Sequence, residues 1–503
     1  MSTTSTTHNL DVLIVGAGIS GIGAAYYLQT MQPNRTFAIV EARGEIGGTW
    51  DLFRYPGIRS DSDLHTFSYE FKPWENEKAI ASADAIMSYL RETVSENGIA
   101  PRIRFHHKVI SASWSSADNR WTVDIERTDT GERVLITCAW LFCAGGYYRY
   151  DQGFTPEFKG RERFSGQIVH PQLWPEDLDY SGKRVVVIGS GATAVTLVPA
   201  MADKAGHVTM LQRSPTYVLP VPSKDRIANA LPKLVGRKRA YAIARRKNIA
   251  KQRAVFQLCQ RYPGAARRII RHLNAKHLPK GYPVDEHFRP AYNPWDQRLC
   301  AVPDADMFAA IRNGSASVVT DRIDTFTETG IRLESGRELE ADIIVTATGL
   351  NLLAFGGITL AVDGEPVNLP EKVAFKGMML DGVPNFAYSF GYTNSSWTLK
   401  VGPVCEHLCR LMAHMDTNGY TVCYPHLSGE MRTMPLLEVK AGYLKRSVDL
   451  FPRQGDHGPW RTAMDHLADA KMLRDGPVAD DNLTFTSPVT QGAEGTPEAA
   501  MSA

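Results

Sequence analysis

The chain has no Cys-x-x-Cys pair. Its seven cysteines, Cys138, Cys143, Cys259, Cys300, Cys405, Cys409 and Cys423, are scattered and odd in number. This spacing excludes a zinc ribbon and a thioredoxin-like dithiol. It leaves no metal site to expect and fits a reducing, cytoplasmic setting. Met1 to Asn9 holds no apolar core of the kind that opens a secretory signal. Val185 to Ala202 is uncharged and long enough to test as a membrane span, but Gly189, Gly191 and Pro199 break it into strand, turn and helix. Acid is missing from one stretch. Between Ser223 and Lys280 stand 17 Lys and Arg and a single acid, Asp225, while the rest of the chain carries 39 basic against 53 acidic residues. The net charge of +2 therefore conceals a basic block on an acidic body, which invites an anionic partner.

What is present is a long chain of ordinary globular composition. Its 503 residues are 43% hydrophobic and 22% charged, enough for two or three domains with sizeable cores. Asp11 to Val15 is an apolar run of the length of a buried parallel strand. It leads into Gly16-Ala17-Gly18-Ile19-Ser20-Gly21 and then an apolar helical pattern from Ile22 to Gln29. Gly16 allows a tight turn, Gly18 close approach to a pyrophosphate, and Gly21 close packing of helix on strand. The helix start then offers unpaired N–H groups to phosphate. A second strand, Phe37 to Val40, ends at Glu41. A carboxylate there accepts hydrogen bonds from ribose hydroxyls and repels a 2′-phosphate, so this site suits FAD.

The pattern recurs. Lys183 to Ile188 reads as a strand, Gly189-Ser190-Gly191-Ala192-Thr193-Ala194 as the turn, and the residues to about Met201 as a helix. The following strand, His207 to Leu211, leads not to an acid but to Gln212-Arg213-Ser214. Arg213 stands where Glu41 stood, and a guanidinium grips phosphate in a bidentate way. The contrast assigns NADP to the second site. The expected fold is α/β, with two Rossmann-like dinucleotide domains.

Between the two turns runs Phe164-Ser-Gly166-Gln-Ile-Val-His170-Pro-Gln-Leu-Trp174-Pro175, and after the first comes Gly48-Thr49-Trp50, with Tyr55-Pro56-Gly57 and Asp61 at fixed offsets. Both strings resemble signatures of the Baeyer–Villiger monooxygenases, flavoenzymes that use NADPH and O2 to insert oxygen beside a carbonyl. Asp51 to Asp63 is similar to the ethionamide-activating branch of that family. The resemblance implies that Gly48, Thr49 and Trp50 lie beside the flavin ring, with Asp61 near it and near a catalytic arginine. That arginine corresponds to Arg298, whose cation would hold a flavin-bound peroxide anionic. The preceding residue, commonly lysine, is Gln297 here, which weakens the grip expected on the 2′-phosphate. The implied products are esters or lactones from ketones, with sulfides oxidised as well. A flavin-dependent N- or S-monooxygenase is the alternative, which Trp174-Pro175 speaks against. The missing cysteine pair speaks against a disulfide reductase.

The remaining organisation follows. Residues 1–150 form the first part of the FAD domain and 151–222 the first part of the NADP domain. Residues 223–297 form a basic helical insertion, with helices expected from Tyr241 to Gln260 and Gly264 to Lys276. Its charge is expected to face solvent; steering of NADPH or contact with anionic lipid are the alternatives, and no nucleic-acid motif accompanies it. Residues 298–349 complete the NADP domain, ending at Ala347-Thr348-Gly349, and 350–474 complete the FAD domain. Tyr388, Phe390, Tyr392 and Trp397 are equally suited to a substrate wall and to a core. From Asp475 to Ala503 the composition predicts a loose tail. The oligomeric state is left open.

Overall fold

The computed structural model describes residues 8–487 except 298, 439–441, 443–445 and 463. Two parallel-sheet units carry the architecture. In the first, His8–Val15 lies between Phe37–Val40 and Arg133–Cys143, all parallel, and Phe386–Tyr388 adds alongside Arg133–Cys143. Where they run side by side, at residues 12–14, Phe37–Val40, residues 141–143 and Phe386–Tyr388, these strands are apolar and buried, as helix-covered parallel strands must be. Arg120–Arg127 and His107–Ser115 continue the sheet antiparallel, the first joined to Arg133–Cys143 through the turn at Asp129-Thr-Gly131. Arg133–Cys143 is one strand of 11 residues. Its first half pairs with the hairpin and its second with the parallel core.

The second sheet is wholly parallel, in the order Ala316–Thr320, His207–Gln212, Arg184–Ile188, Ile343–Thr346, Gln167–Val169. Each glycine turn thus sits at the carboxyl end of a central strand, where open α/β sheets bind ligands. The helix Ala192–Ala202 confirms that Val185 to Ala202 is strand, turn and helix. No helix among the described residues is long and apolar enough to cross a membrane. The two chain crossings between the sheets travel together, since Tyr148–Gly153 pairs antiparallel with Leu350–Leu352.

Two expectations need correcting. The insertion holds helices Arg237–Arg261 and Pro263–His277, but the first is not merely solvated. Tyr241, Arg245, Asn248 and Gln252 recur at helical spacing and grip one short helix, Leu64–Phe67, and the two residues after it. Arg245, only 6% exposed, donates to the carbonyls of His65, Thr66 and Ser68 at 3.1, 3.1 and 2.9 Å. Carbonyls at a helix C-terminus lack internal partners, and a guanidinium satisfies several at once. At the other end, Asn248 and Gln252 donate to the Asp63 carboxylate, which also caps the short helix through the Thr66 N–H. The second correction concerns the tail. Leu483–Thr486 is a strand paired with Val422–Pro425, because alternate apolar residues there have a partner edge to cover. Residues 488–503 of the expected tail lie outside the described residues.

All seven cysteines are free and buried. Burial pushes the Cys138 and Cys409 thiols up to about 12, so these sulfurs serve as core. Cys405 and Cys409 lie in the helix Thr398–Asn418, which packs on the helix Ile19–Met31.

Candidate active site

Both glycine turns open into one cavity of about 2010 Å3. This is well above the few hundred to about 1,000 Å3 of a pocket for one small ligand, and it has room for two dinucleotides and a substrate. On the first side it is lined by Gly16, Gly18, Glu41, Gly48, Thr49 and Trp50, with Asp61 further along. On the second side it is lined by Gly189, Gly191, Ala192, Thr193, Arg213 and Ser214, with Gln297 beyond them. Gly21 and Ala194 are buried and do not line it. Arg298 lies outside the described residues.

The glycines divide their tasks as the sequence implies. A Cβ on Gly21 would stand 1.9 Å from the Gly16 carbonyl oxygen, so helix and strand touch there. At Gly189, φ is +130° and a Cβ would meet the Ala347 oxygen at 2.3 Å. Gly18 and Gly191 differ. A Cβ at Gly191 would meet no atom within 4 Å, and one at Gly18 nothing nearer than 3.8 Å. Both face the cavity, so their missing side chains leave space for a ligand rather than for protein. That space, at helix N-termini, fits the pyrophosphate of a dinucleotide.

Glu41 is buried, and burial pushes its carboxyl upward. Its oxygens accept the Ala17 N–H at 2.8 Å and the Arg43 N–H at 3.0 Å. A carboxylate has about four acceptor sites, so two remain for ribose hydroxyls. Arg213 is exposed, and no ion pair or hydrogen bond engages its side chain among the described residues. Its charge is therefore free for an anion. Beside it, Ser190 Oγ meets Thr216 Oγ1 at 2.7 Å.

Tyr150 and Arg43, and the contacts made by Thr49 and Tyr55, escaped the sequence reading. Tyr150 Oη meets Thr49 Oγ1 at 3.1 Å, and Arg43 pairs with Asp51 and reaches the Gly48 carbonyl at 3.2 Å. Tyr55 meets Thr193 of the second turn and so links the segment after Trp50 to it; burial raises its phenol well above the ordinary range. Next to it, a Cβ on Gly57 would lie 2.5 Å from the Ala200 Cβ, which marks where the first unit presses on the helix of the second. No local sequence signal reports such pairings. Of the four candidate aromatics, Tyr392 and Trp397 line the cavity, while Tyr388 and Phe390 pack in the core.

Phe164, Gly166, His170, Trp174 and Pro175 do not line the cavity. They form the crossing into the second sheet. Phe164 is buried in its core, and a Cβ on Gly166 would meet the Asp342 oxygen at 2.4 Å. Trp174 packs against the core of that unit, and Pro175 is half-buried beside it. His170 Nδ1 accepts the Gln172 N–H at 3.2 Å, which leaves Nε2–H to donate to the Gly349 carbonyl at 3.2 Å. Burial lowers its pKa and keeps that arrangement neutral. The imidazole thus ties one crossing to the other, at the end of Ala347-Thr348-Gly349.

A pyridine nucleotide-disulphide oxidoreductase family model matches residues 13–254. The FAD-containing monooxygenase EthA of Mycobacterium tuberculosis H37Rv is 53% identical over 481 residues, covering 95% of this chain and 98% of that protein. Among solved structures, an oxidized steroid monooxygenase bound to NADP is similar at TM-score 0.72 and 22% identity, covering 95% of this chain and 99% of that one. Cyclohexanone monooxygenase bound to epsilon-caprolactone is similar at TM-score 0.73 and 20% identity, covering 95% of this chain and all of its own (100%). With an undivided cavity under two dinucleotide turns and half of its residues shared with EthA, the chain belongs to the family of FAD-containing monooxygenases.

Proposed function

We propose that this chain is an FAD- and NADPH-dependent Baeyer–Villiger monooxygenase, converting ketones to esters or lactones with O2 and oxidising sulfides in the same chamber. One observation carries the reading: a single cavity holds two dinucleotide turns whose following strands lead to opposite charges, Glu41 and Arg213. Gly16, Gly18, Glu41, Gly48, Thr49 and Trp50 hold FAD. Gly189, Gly191, Ala192, Thr193, Arg213 and Ser214 hold NADPH, with Gln297 a weaker neighbour. Gly21 and Ala194 seat the two helices. Residues 1–150 and 350–474 make the FAD unit, and 151–222 and 298–349 the NADP unit.

Bound FAD supplies the redox chemistry, taking a hydride from NADPH and delivering one oxygen atom of O2. The chain's own residues orient, charge and dry the chamber. Arg298 keeps its proton at every working pH, so it can steady negative charge that develops on the substrate carbonyl oxygen. Asp61, which lines the same cavity, is the carboxylate we assign to temper that charge. Tyr55, Trp397 and Tyr392 give the chamber aromatic walls.

The test is NADPH consumption by the flavin-loaded protein with a panel of ketones and sulfides, with products identified. Ester or lactone supports the reading. Sulfoxide alone would move the chain to the flavin-dependent S-oxidising enzymes.

A further inference from the structure

The basic insertion also carries most of the exposed large hydrophobic side chains among the described residues. Of the twelve exposed large hydrophobic side chains among the described residues, seven lie between Ile227 and Ile269. Leu234 is 79% exposed and Ile227 58%. Leu234 and Val235 end a short helix, Pro232–Val235, that turns through Gly236 into the helix Arg237–Arg261. Lys233, Lys238 and Arg239 surround this tip, all exposed and without an ion-pair partner among the described residues.

The long helix extends the patch. At 100° per residue, Arg239, Ile243, Arg246 and Ala250 fall on one stripe, and all four are exposed. The stripe lies opposite Tyr241, Arg245, Asn248 and Gln252, which grip the first unit. The docked face therefore fixes the other face outward. No Asp or Glu occurs between Arg226 and Val284, and among the acids that reach the long helix from other elements, Glu75 and Asp465 pair with Arg237 and Arg253 rather than with Arg239 or Arg246.

We infer that this outward face seats the protein on an anionic lipid surface, with Leu234, Val235, Ile227 and Ile243 entering the headgroup boundary and the cations meeting lipid phosphates. Cations draw a surface to anionic lipid, and exposed aliphatic side chains gain from the acyl boundary. A nucleic acid would use the cations but gives aliphatic residues little to bury, since such surfaces rely on stacking aromatics and polar contacts. A second copy would bring two faces of the same sign together, because symmetric dimers pair identical patches.

The test uses the full-length, flavin-loaded protein and sedimentation with vesicles of phosphatidylcholine, with and without phosphatidylglycerol. We expect binding only to the anionic vesicles, with release as salt shortens the Debye length to about 3 Å near 1 M. Lys233→Glu, Lys238→Glu and Arg239→Glu together should weaken partitioning roughly hundredfold or more, by the usual contribution of each cation. Leu234→Ser with Val235→Ser should lower it at unchanged net charge. Both variants should keep the parent's NADPH oxidation with a water-soluble ketone. Equal binding to neutral and anionic vesicles, or variants that bind like the parent, would overturn the inference. So would self-association that buries Leu234, or tighter binding to RNA than to anionic vesicles.

Discussion

Arg213→Ala isolates the charge that separates the two nucleotide sites. Arg213 lies one residue beyond the strand His207–Gln212 and lines the cavity with Gly191 and Ser214. Its guanidinium has no partner among the described residues, so truncation removes no internal contact. Hydrogen bonds to a charged partner contribute about 1.5–3 kcal/mol each, and Arg213 is exposed, so screening favours the lower end. The NADPH dissociation constant should therefore rise roughly tenfold, with a ceiling of roughly a hundredfold, since 1.4 kcal/mol is tenfold. NADH lacks the 2′-phosphate, so its affinity should stay within about twofold, as expected for a surface truncation. Titration of the flavin-loaded protein with each reduced coenzyme under anaerobic conditions reads both numbers, and thermal melting checks the fold. Equal loss for NADPH and NADH, or no loss for either, would refute the assignment of Arg213 to the 2′-phosphate.

The two glycines of the second turn should fail in different ways. Gly189→Ala places a Cβ at 2.3 Å from the Ala347 oxygen with φ at +130° and should cost about 3 kcal/mol, lowering the melting temperature by several degrees. Gly191→Ala meets no protein atom and should melt like the parent yet lose coenzyme affinity; if both variants melt normally, the close approach at Gly189 is wrong. Lys400 donates to Asp469 at 2.7 Å in the interior, and Tyr392 donates to the same oxygen at 2.7 Å. Lys400→Met strands that carboxylate and should cost about 3–5 kcal/mol in urea unfolding, with partial recovery when Asp469→Asn is added. No recovery would mean that the ion pair is not what the interior depends on. Burial lowers the His407 pKa from 6.5 to about 4. The unfolded chain therefore takes up the proton first, and this site's share of stability is kept above pH 6.5 and lost as pH falls toward 4. The loss between pH 7 and pH 5 is about 2 kcal/mol. His407→Gln should flatten that slope, and an unchanged slope would exclude His407 as its source.

The sequence makes local, repeated patterns legible. Strand, glycine turn, helix and terminal charge are set within some thirty residues, so both nucleotide turns could be placed, and Gly16, Gly18 and Gly21 could be given different tasks. Contacts that join distant segments were not legible. Arg245 is one of many cations in the insertion, and nothing local marks it as the partner of carbonyls at His65, Thr66 and Ser68. Its charge therefore read as solvated. Tyr55 meeting Thr193, and His170 meeting Gly349, are likewise long-range pairings. Leu483–Thr486 sits in a stretch rich in turn-forming residues, and only the free edge of Val422–Pro425 decides that it is a strand.

The most direct test follows the oxygen atom. The flavin-loaded protein is supplied with NADPH, a simple cyclic ketone and 18O2, and the product is analysed by mass spectrometry. The account predicts a lactone with one 18O in the ring, formed one for one with NADPH consumed. Consumption of NADPH and O2 that yields hydrogen peroxide and unchanged ketone, across a panel of ketones, would contradict it.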